Sequence, residues 1–595
     1  MKQFKILSIL IFLSALISCV EKVKEKSSKP SIKKPNIILI LADDQGWGDL
    51  SSNGNTNLNT PNIDSLRING ASFENFYVQP VCSPTRAELL TGRYFTRMGV
   101  YETSSGGERF NLNETTIAEL LKNVGYHTAA FGKWHNGMQP PYHPNSRGFD
   151  QFYGFASGHW GNYFSPMLEN NGKLVKGNGF LVDDLTDKGL DFIEKNASES
   201  FFLYLPYNTP HSPMQVPDKY WDRMKHKSLE LLSEADLEED LQFTKAALAM
   251  VENIDDNVGR VTHKIKQLGL EEDTIIIYLS DNGPNAYRWN GGMSGKKGNV
   301  SEGGVRTPFY IQWVNHIEKG LNLTEIASSI DILPTLCGLL SIPIKTEKPI
   351  DGIDLSALLL GNAVTIKDRF IYNHWNGKTS VRSQQFRLNE ENRLYDISTD
   401  RGQKFDVSNK HPQITDSLIT AKTNWEKETI QITKANDERA FTLGYSKALY
   451  TQLPARDGEA HGNIKRSNQW PNDSFFTNWK SVKDSITWNV DVLEDGRFEV
   501  DLYYTCPEKD LGSIVELSFN NSKIAKKIIV PHDPELIGKN EDRVPRMESY
   551  VKDFKPLNLG VITLTKGSGI LTLKALELEG KQVGDFRLLQ FKRLD

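Results

Sequence analysis

Residues 36–44 read NIILILADD, and the reading of this stretch decides the architecture. A short apolar run followed by a cluster of polar residues returns along the first half of the chain. HTAAFG (127–132), FFLYL (201–205), TIIIYLS (274–280) and PFYIQWV (308–314) are the other strand candidates. Helical patterns lie between them. TTIAELLKNVG carries a capping box from Thr116 to Glu119 and a terminal Gly125. FTKAALAMVENIDDNVGRVTHKIKQLG has apolar residues at helical spacing, so its Asp255-Asp256 pair is expected on a solvated face. Strands alternating with helices predict an α/β fold around a mostly parallel sheet.

The residues just past each strand carry the chemistry. Asp43-Asp44 come after the first, Gly132-Lys133-Trp134-His135 after the second, Asn208-Thr209-Pro210-His211 after the third and Asp281-Asn282-Gly283 after the fourth. Singly, such clusters read as turn chemistry. In an open parallel sheet, however, the carboxyl ends of the strands form the ligand crevice, so the four clusters should converge. Carboxylates plus an Asn amide oxygen make an oxygen-rich site for a hard cation, Ca2+ or Mg2+, and no Cys/His spacing suits zinc. Arg86, Lys133, His135, His211 and Lys297 add the positive charge and proton-transfer groups that an anionic ester requires.

Composition sets the limits. The 595 residues are 38% hydrophobic and 24% charged, with a net charge of -5, so no basic footprint for nucleic acid is present and none is expected as a partner. An acidic or sulfated substrate must then be held by local cations. The opening MKQFKILSILIFLSALISC has two lysines, an apolar run from Ile6 to Ile17 and a lipobox-like Leu16-Ile17-Ser18-Cys19. It predicts a lipoprotein signal peptide over 1–19, with a polar, lysine-rich tether over 20–34. The expected location is exported, as an outer-membrane lipoprotein facing periplasm or cell surface, with membrane contact only through the lipid. Of the remaining cysteines, Cys337 in DILPTLCGLL and Cys506 in FEVDLYYTC read as small buried hydrophobes. Cys82 differs, because Ser83, Pro84, Thr85 and Arg86 come after it, before a helical AELLTG.

Cys82-Ser83-Pro84-Thr85-Arg86 with Leu90-Thr91-Gly92-Arg93 resembles the C-x-P-x-R…T-G-R signature of type I sulfatases. The resemblance extends through PNIILILADDQGWGDL, GYHTAAFGKWHNG, SDNG with GKKGNVSEGGVRTP, and RLYDISTD, covering roughly residues 36–430. It implies an alkaline-phosphatase-like mixed, mostly parallel sheet flanked by helices, with a small antiparallel α+β subdomain. It also implies that a maturation enzyme oxidises Cys82 to 3-oxoalanine (Cα-formylglycine), and that calcium is held by Asp43, Asp44, Asp281, Asn282 and the modified Cys82. Arg86 and Lys133 would orient the hydrated aldehyde, while Lys133, His211 and Lys297 would grip sulfate. Lys297 is preferred to Lys296 on its spacing to Glu302. One hydroxyl of the gem-diol would attack sulfur, His211 would protonate the departing alcohol, and His135 would take the proton of the second hydroxyl. Two departures, Asn136 in GKWHNG and Ser301 before Glu302, fall where the pocket wall is expected.

The catalytic domain is expected over 35–365 and the small subdomain over 366–435, with His374, Trp375 and Arg382 as candidate substrate readers. From 440 to 595, alternating segments such as SITWNVDVLEDGRFEVDLYYTC predict an appended C-terminal β-sandwich, where Trp470, Trp479 and Trp488 are candidates for stacking on sugar. The expected substrate is a sulfated polysaccharide or oligosaccharide such as algal ulvan. The rival readings are a phosphatase or phosphonate hydrolase on the same scaffold and a non-catalytic polysaccharide-binding lipoprotein.

Overall fold

The computed structural model describes residues 34–235, 238–362, 364, 366, 368–430 and 432–595. The expected signal peptide and its tether, to residue 33, lie outside these. Among the described residues no helix is long and apolar enough to cross a membrane, and Pro35–Asp595 forms one compact unit.

A ten-stranded sheet organises the first part. In chain order its strands are β1 (Asn36–Ala42), β2 (Ala71–Tyr77), β3 (His127–Lys133), β4 (Gln151–Phe155), β5 (Met167–Asn170), β6 (Lys173–Lys176), β7 (Phe201–Pro206), β8 (Thr274–Ser280), β9 (Phe309–Trp313) and β10 (Leu321–Ser328). Their spatial order is β10-β2-β9-β8-β1-β7-β3-β4-β5-β6. The strands β8, β1, β7, β3 and β4 run parallel to one another, while β9, β5 and β6 join antiparallel. Every residue of β1, β7 and β8 is buried, because one apolar cluster packs on each face of the sheet. That two-sided burial is why these strands are continuous apolar runs. The helix Ile117–Asn123 begins with the expected capping box at Thr116 and Glu119.

The expected solvated face holds for Asp256, which is exposed, and fails for its neighbour. Asp255, on the long helix Leu241–Gln267, is not on a solvated face; it is 2% exposed. Its carboxylate accepts the Asn62 and Ile63 backbone N–H groups at 2.9 and 2.8 Å, capping the helix Pro61–Ile68 from across the interface.

The strands β11 (Ile371–Trp375), β12 (Lys378–Arg382), β13 (Phe386–Leu388) and β14 (Leu394–Asp396) form an antiparallel sheet covered by the helix Pro412–Thr429, with Val381, Leu388, Leu394 and Leu418 between them. After Phe441 come two further, largely antiparallel six-stranded sheets that share one core including Trp488, Leu502, Leu517 and Phe591. Trp479 and Trp488 belong to this core at 3% and 1% exposure, so neither stacks on sugar; Trp470 is 52% exposed. Cys82, Cys337 and Cys506 are all buried and free.

Candidate active site

The sheet order makes β8, β1, β7 and β3 consecutive neighbours, so the residues leaving their carboxyl ends meet. Asp43 and Asp44 lie just past β1, Asp281 and Asn282 just past β8, Lys133 ends β3 with His135 two residues on, and His211 lies beyond β7. Cys82 enters from the side as the first residue of the helix Cys82–Thr91. Ligand atoms of Asp43, Asp44, Cys82 and Asp281 lie within 4.8 Å of one another, and all four residues are buried.

The contacts give each group a place. Cys82 Sγ lies 3.4 Å from Asp43 Oδ1 and 3.9 Å from Asp44 Oδ1. One helical turn on, Arg86 donates from Nε and Nη2 to Asp281 Oδ2 at 3.0 and 2.7 Å, and from Nη1 to the Lys133 carbonyl at 2.8 Å. Lys133 Nζ meets Asp43 Oδ2 at 2.8 Å. Lys297 Nζ meets Asp44 Oδ1 at 2.7 Å, whereas Lys296 Nζ points to the Asn285 carbonyl, 3.3 Å away, and over the Tyr287 ring. Asp44 adopts φ +66°, a strained value that turns its carboxylate toward the cluster, where the Asn282 amide donates to its Oδ1 at 2.8 Å.

Burial and charge tune these groups. Burial pushes the Cys82 thiol up, and the Asp281 carboxylate adds to it, so this cysteine is held as the thiol although it begins a helix. Burial and Asp43 push the Asp281 carboxyl up to about 6. Burial, then Lys133, holds His135 well below the usual histidine value. Burial and Lys297 lower His211, whose Nδ1 bonds the Ser212 carbonyl at 2.6 Å and whose Nε2 lies 3.7 Å from Asp44 Oδ2. For Lys297, burial works against the ammonium, but Asp44 outweighs it.

The residues fit a hard cation. Three carboxylates converge, and Asn282 Oδ1 is buried without a hydrogen-bond partner, an orphaned acceptor of the kind oxygen-rich cation sites use.

Several residues fall elsewhere than the sequence placed them. Asn136 is fully buried and is no pocket wall; its amide donates to Ser83 and to the Glu108 carbonyl at 3.1–3.3 Å, bracing the first turn of the Cys82 helix. Arg382 is 2% exposed and bonds Tyr77 Oη, so it is structural; His374 is half-buried, with Nδ1 2.7 Å from Thr379 Oγ1. Of two further site residues, one carried no sequence signal and the other was marked only as part of a turn. His159, 6% exposed, has no partner on either ring nitrogen and lies with its ring 5.4 Å from that of His211. Asn208, 1% exposed, has neither amide atom hydrogen-bonded. His159 lies after β4 beside a glycine, so only the fold brings it to the site, whereas Asn208 belongs to the strand-end turn that the sequence already placed there.

Residues 35–342 match the sulfatase family model. The chain is 32% identical to mouse N-acetylgalactosamine-6-sulfatase over 381 residues, covering 57% of this chain and 68% of the relative. It is 30% identical to human arylsulfatase A, covering 71% and 92% respectively. Among solved structures it is similar to Ps i-CgsB in complex with k-i-k-neocarrahexaose, with a TM-score of 0.61, 30% identity, and coverage of 67% of this chain and 94% of that one.

Proposed function

This chain belongs to the sulfatase family and is a sulfuric ester hydrolase, and on that premise we propose that it removes sulfate from a sulfated polysaccharide or oligosaccharide of the algal type. We propose further that Cys82 is converted to formylglycine by a host maturation enzyme and that the cation is calcium, held by Asp43, Asp44, Asp281, Asn282 and the modified residue. The carbohydrate reading is supported by the sugar esters named for the mouse relative and by the carrageenan-type oligosaccharide in the Ps i-CgsB complex. The observation that carries the chemistry is Cys82 Sγ, a buried and disfavoured thiolate, set 3.4 Å from Asp43 in a ring of matched charges.

Those charges define the site's capacity. Asp43, Asp44 and Asp281 are offset by Arg86, Lys133 and Lys297, so a divalent cation leaves the cluster net positive and ready for an anion. When bound, calcium and the hydrated aldehyde would supply charge stabilisation on the sulfuryl oxygens and the attacking oxygen. The chain's own groups do the rest. Lys133 and Lys297, held in place by Asp43 and Asp44, stand ready to grip the sulfate oxygens. Arg86, pinned by Asp281 and the Lys133 carbonyl, fixes the turn that carries residue 82. His135 keeps Nδ1 unpartnered and so accepts a proton there, while Nε2 is engaged with the Thr103 carbonyl at 2.8 Å. His211, on the side of Lys297, is the proton donor to the departing sugar oxygen. For location, the lipobox-like Cys19 supports a lipid-anchored exported protein; Cys19→Ala should then release it from the membrane fraction.

Mass spectrometry of the Cys82 peptide, joined to a sulfate-release screen on defined sulfated oligosaccharides, tests the reading. An aldehyde at residue 82 and release from ulvan- or carrageenan-type oligosaccharides are expected. Active enzyme with an unmodified thiol, or turnover of aryl sulfates alone, would refute it.

A further inference from the structure

The C-terminal sheets reach the catalytic histidine through one side chain. Thr103 lies in the irregular segment 99–110, and its carbonyl accepts from His135 Nε2 at 2.8 Å and from Asn472 Nδ2 at 3.3 Å. A carbonyl can only accept, so Nε2 carries the hydrogen whatever the charge of the ring, and Nδ1 is left as the site for incoming protons. The amide of Asn472 is itself oriented, because its Oδ1 accepts from Ser157 Oγ at 3.1 Å and, at the longer 3.5 Å, from Arg456 Nη1. The next residue, Gly158, backs the same imidazole: a Cβ there would lie 2.1 Å from His135 Nε2. The segment bearing Thr103 is tied to the C-terminal part again by Ser105 Oγ on the Arg456 carbonyl at 3.2 Å and by Glu108 on Arg456 at 2.7 Å.

We propose that Asn472 is a positioning residue for His135, fixing the Thr103 carbonyl and through it the ring nitrogen that receives the proton. The C-terminal sheets are thereby part of the active site. The inference rests on His135 being the proton acceptor.

Asn472→Ala removes all three side-chain bonds. Asn472→Asp keeps the size and the acceptance from Ser157 but sets a carboxylate oxygen against the Thr103 carbonyl. Ser157→Ala leaves the amide oxygen only the long contact to Arg456 and does not touch that carbonyl. In full-length enzyme both Asn472 variants are expected to lower kcat about tenfold, the worth of roughly one hydrogen bond, at unchanged KM; Ser157→Ala should lower it less. With the chain labelled at histidine with 15N and His135 assigned through His135→Gln, the wild type should show a single Nε2–H tautomer. The variants should show a mixture. This signature is readable whether or not residue 82 has been converted, so a failed aldehyde assignment leaves it intact. Variants with wild-type urea midpoints, kcat within about twofold and an unchanged His135 tautomer would overturn the proposal. Should both Asn472 variants fail to fold, the same unchanged kcat and tautomer in Ser157→Ala overturn it.

Discussion

At the scale of single residues, the two histidines divide the proton traffic by environment. Both are lowered from the ordinary value of about 6.5, His135 well below it and His211 less so, in each case first by burial and then by a neighbouring lysine. The acceptor must be unprotonated and the donor protonated. Activity therefore rises with pH through the His135 value and falls through the His211 value. The expected profile of kcat/KM is a bell with its optimum below about pH 6.5, and His211→Gln should abolish its alkaline limb. An optimum above pH 7, or an alkaline limb that survives the substitution, would remove His211 from the donor role. The adjacent lysines separate equally well. Lys297 lies 2.7 Å from Asp44, so Lys297→Ala should cost about 10²–10³ in kcat, as loss of one preorganised charge contact does. Lys296→Ala, which removes only the contacts to the Asn285 carbonyl and Tyr287, should leave kcat within about twofold.

At the scale of elements, Glu302 locks the large sheet to the small one. It is fully buried, accepts Arg387 Nε from β13 at 2.8 Å and Tyr77 Oη from β2 at 3.1 Å, and lies near Arg382 of β12 and Arg306. Burial works to raise its pKa, but Arg387, Arg382 and Arg306 outweigh burial and bring it down to about 2. Because the folded value lies below the unfolded one of about 4.3, its stabilisation is whole above that pH and is lost as pH falls toward 2. Glu302→Gln, leaving three buried guanidiniums short of their counter-ion, should cost about 3–5 kcal/mol near neutrality in urea titration. The gap between the variants should close below pH 4; a constant gap would contradict this account. The same physics decides how much was legible in the sequence. β1, β3, β7, β8 and β9 announce themselves because strands packed on both faces must be apolar throughout, and the turn residues after four of them mark the site. β5 and β6, short and at the sheet margin, and β2, with Glu74-Asn75 half-exposed in its middle, carry no such run. The roles of Asp255, Asn136 and Asn472 depend on partners 28 to 369 positions away, which no local pattern encodes.

At the scale of the whole molecule, the C-terminal sheets read in the sequence as an appended module, yet their seam with the large sheet is built of buried polar contacts. Gln139 donates to Asp457 Oδ2 at 2.9 Å and to the Gln452 carbonyl at 3.0 Å, and Arg109 bonds the Arg439 and Ala440 carbonyls at 2.8 and 2.7 Å. Gln215 donates to the Gly538 carbonyl and to Asp542 Oδ1, each at 2.9 Å, and Ser212, beside His211, bonds Glu548. Removing the C-terminal side exposes these groups to water and takes away what orders the segment 99–110 that bears Thr103 and the turn that carries His211 and Ser212. A chain ending at residue 438 should therefore lose the fixed positions of His135 and His211 and release no sulfate even when residue 82 has been converted. An independently tethered binding module makes the opposite forecast, that the truncated chain keeps its kcat on small sulfate esters and loses affinity only for polymer. Circular dichroism and sulfate release on the truncated chain separate the two, and a folded, active product would show that the seam is an accessory contact with no part in holding the site.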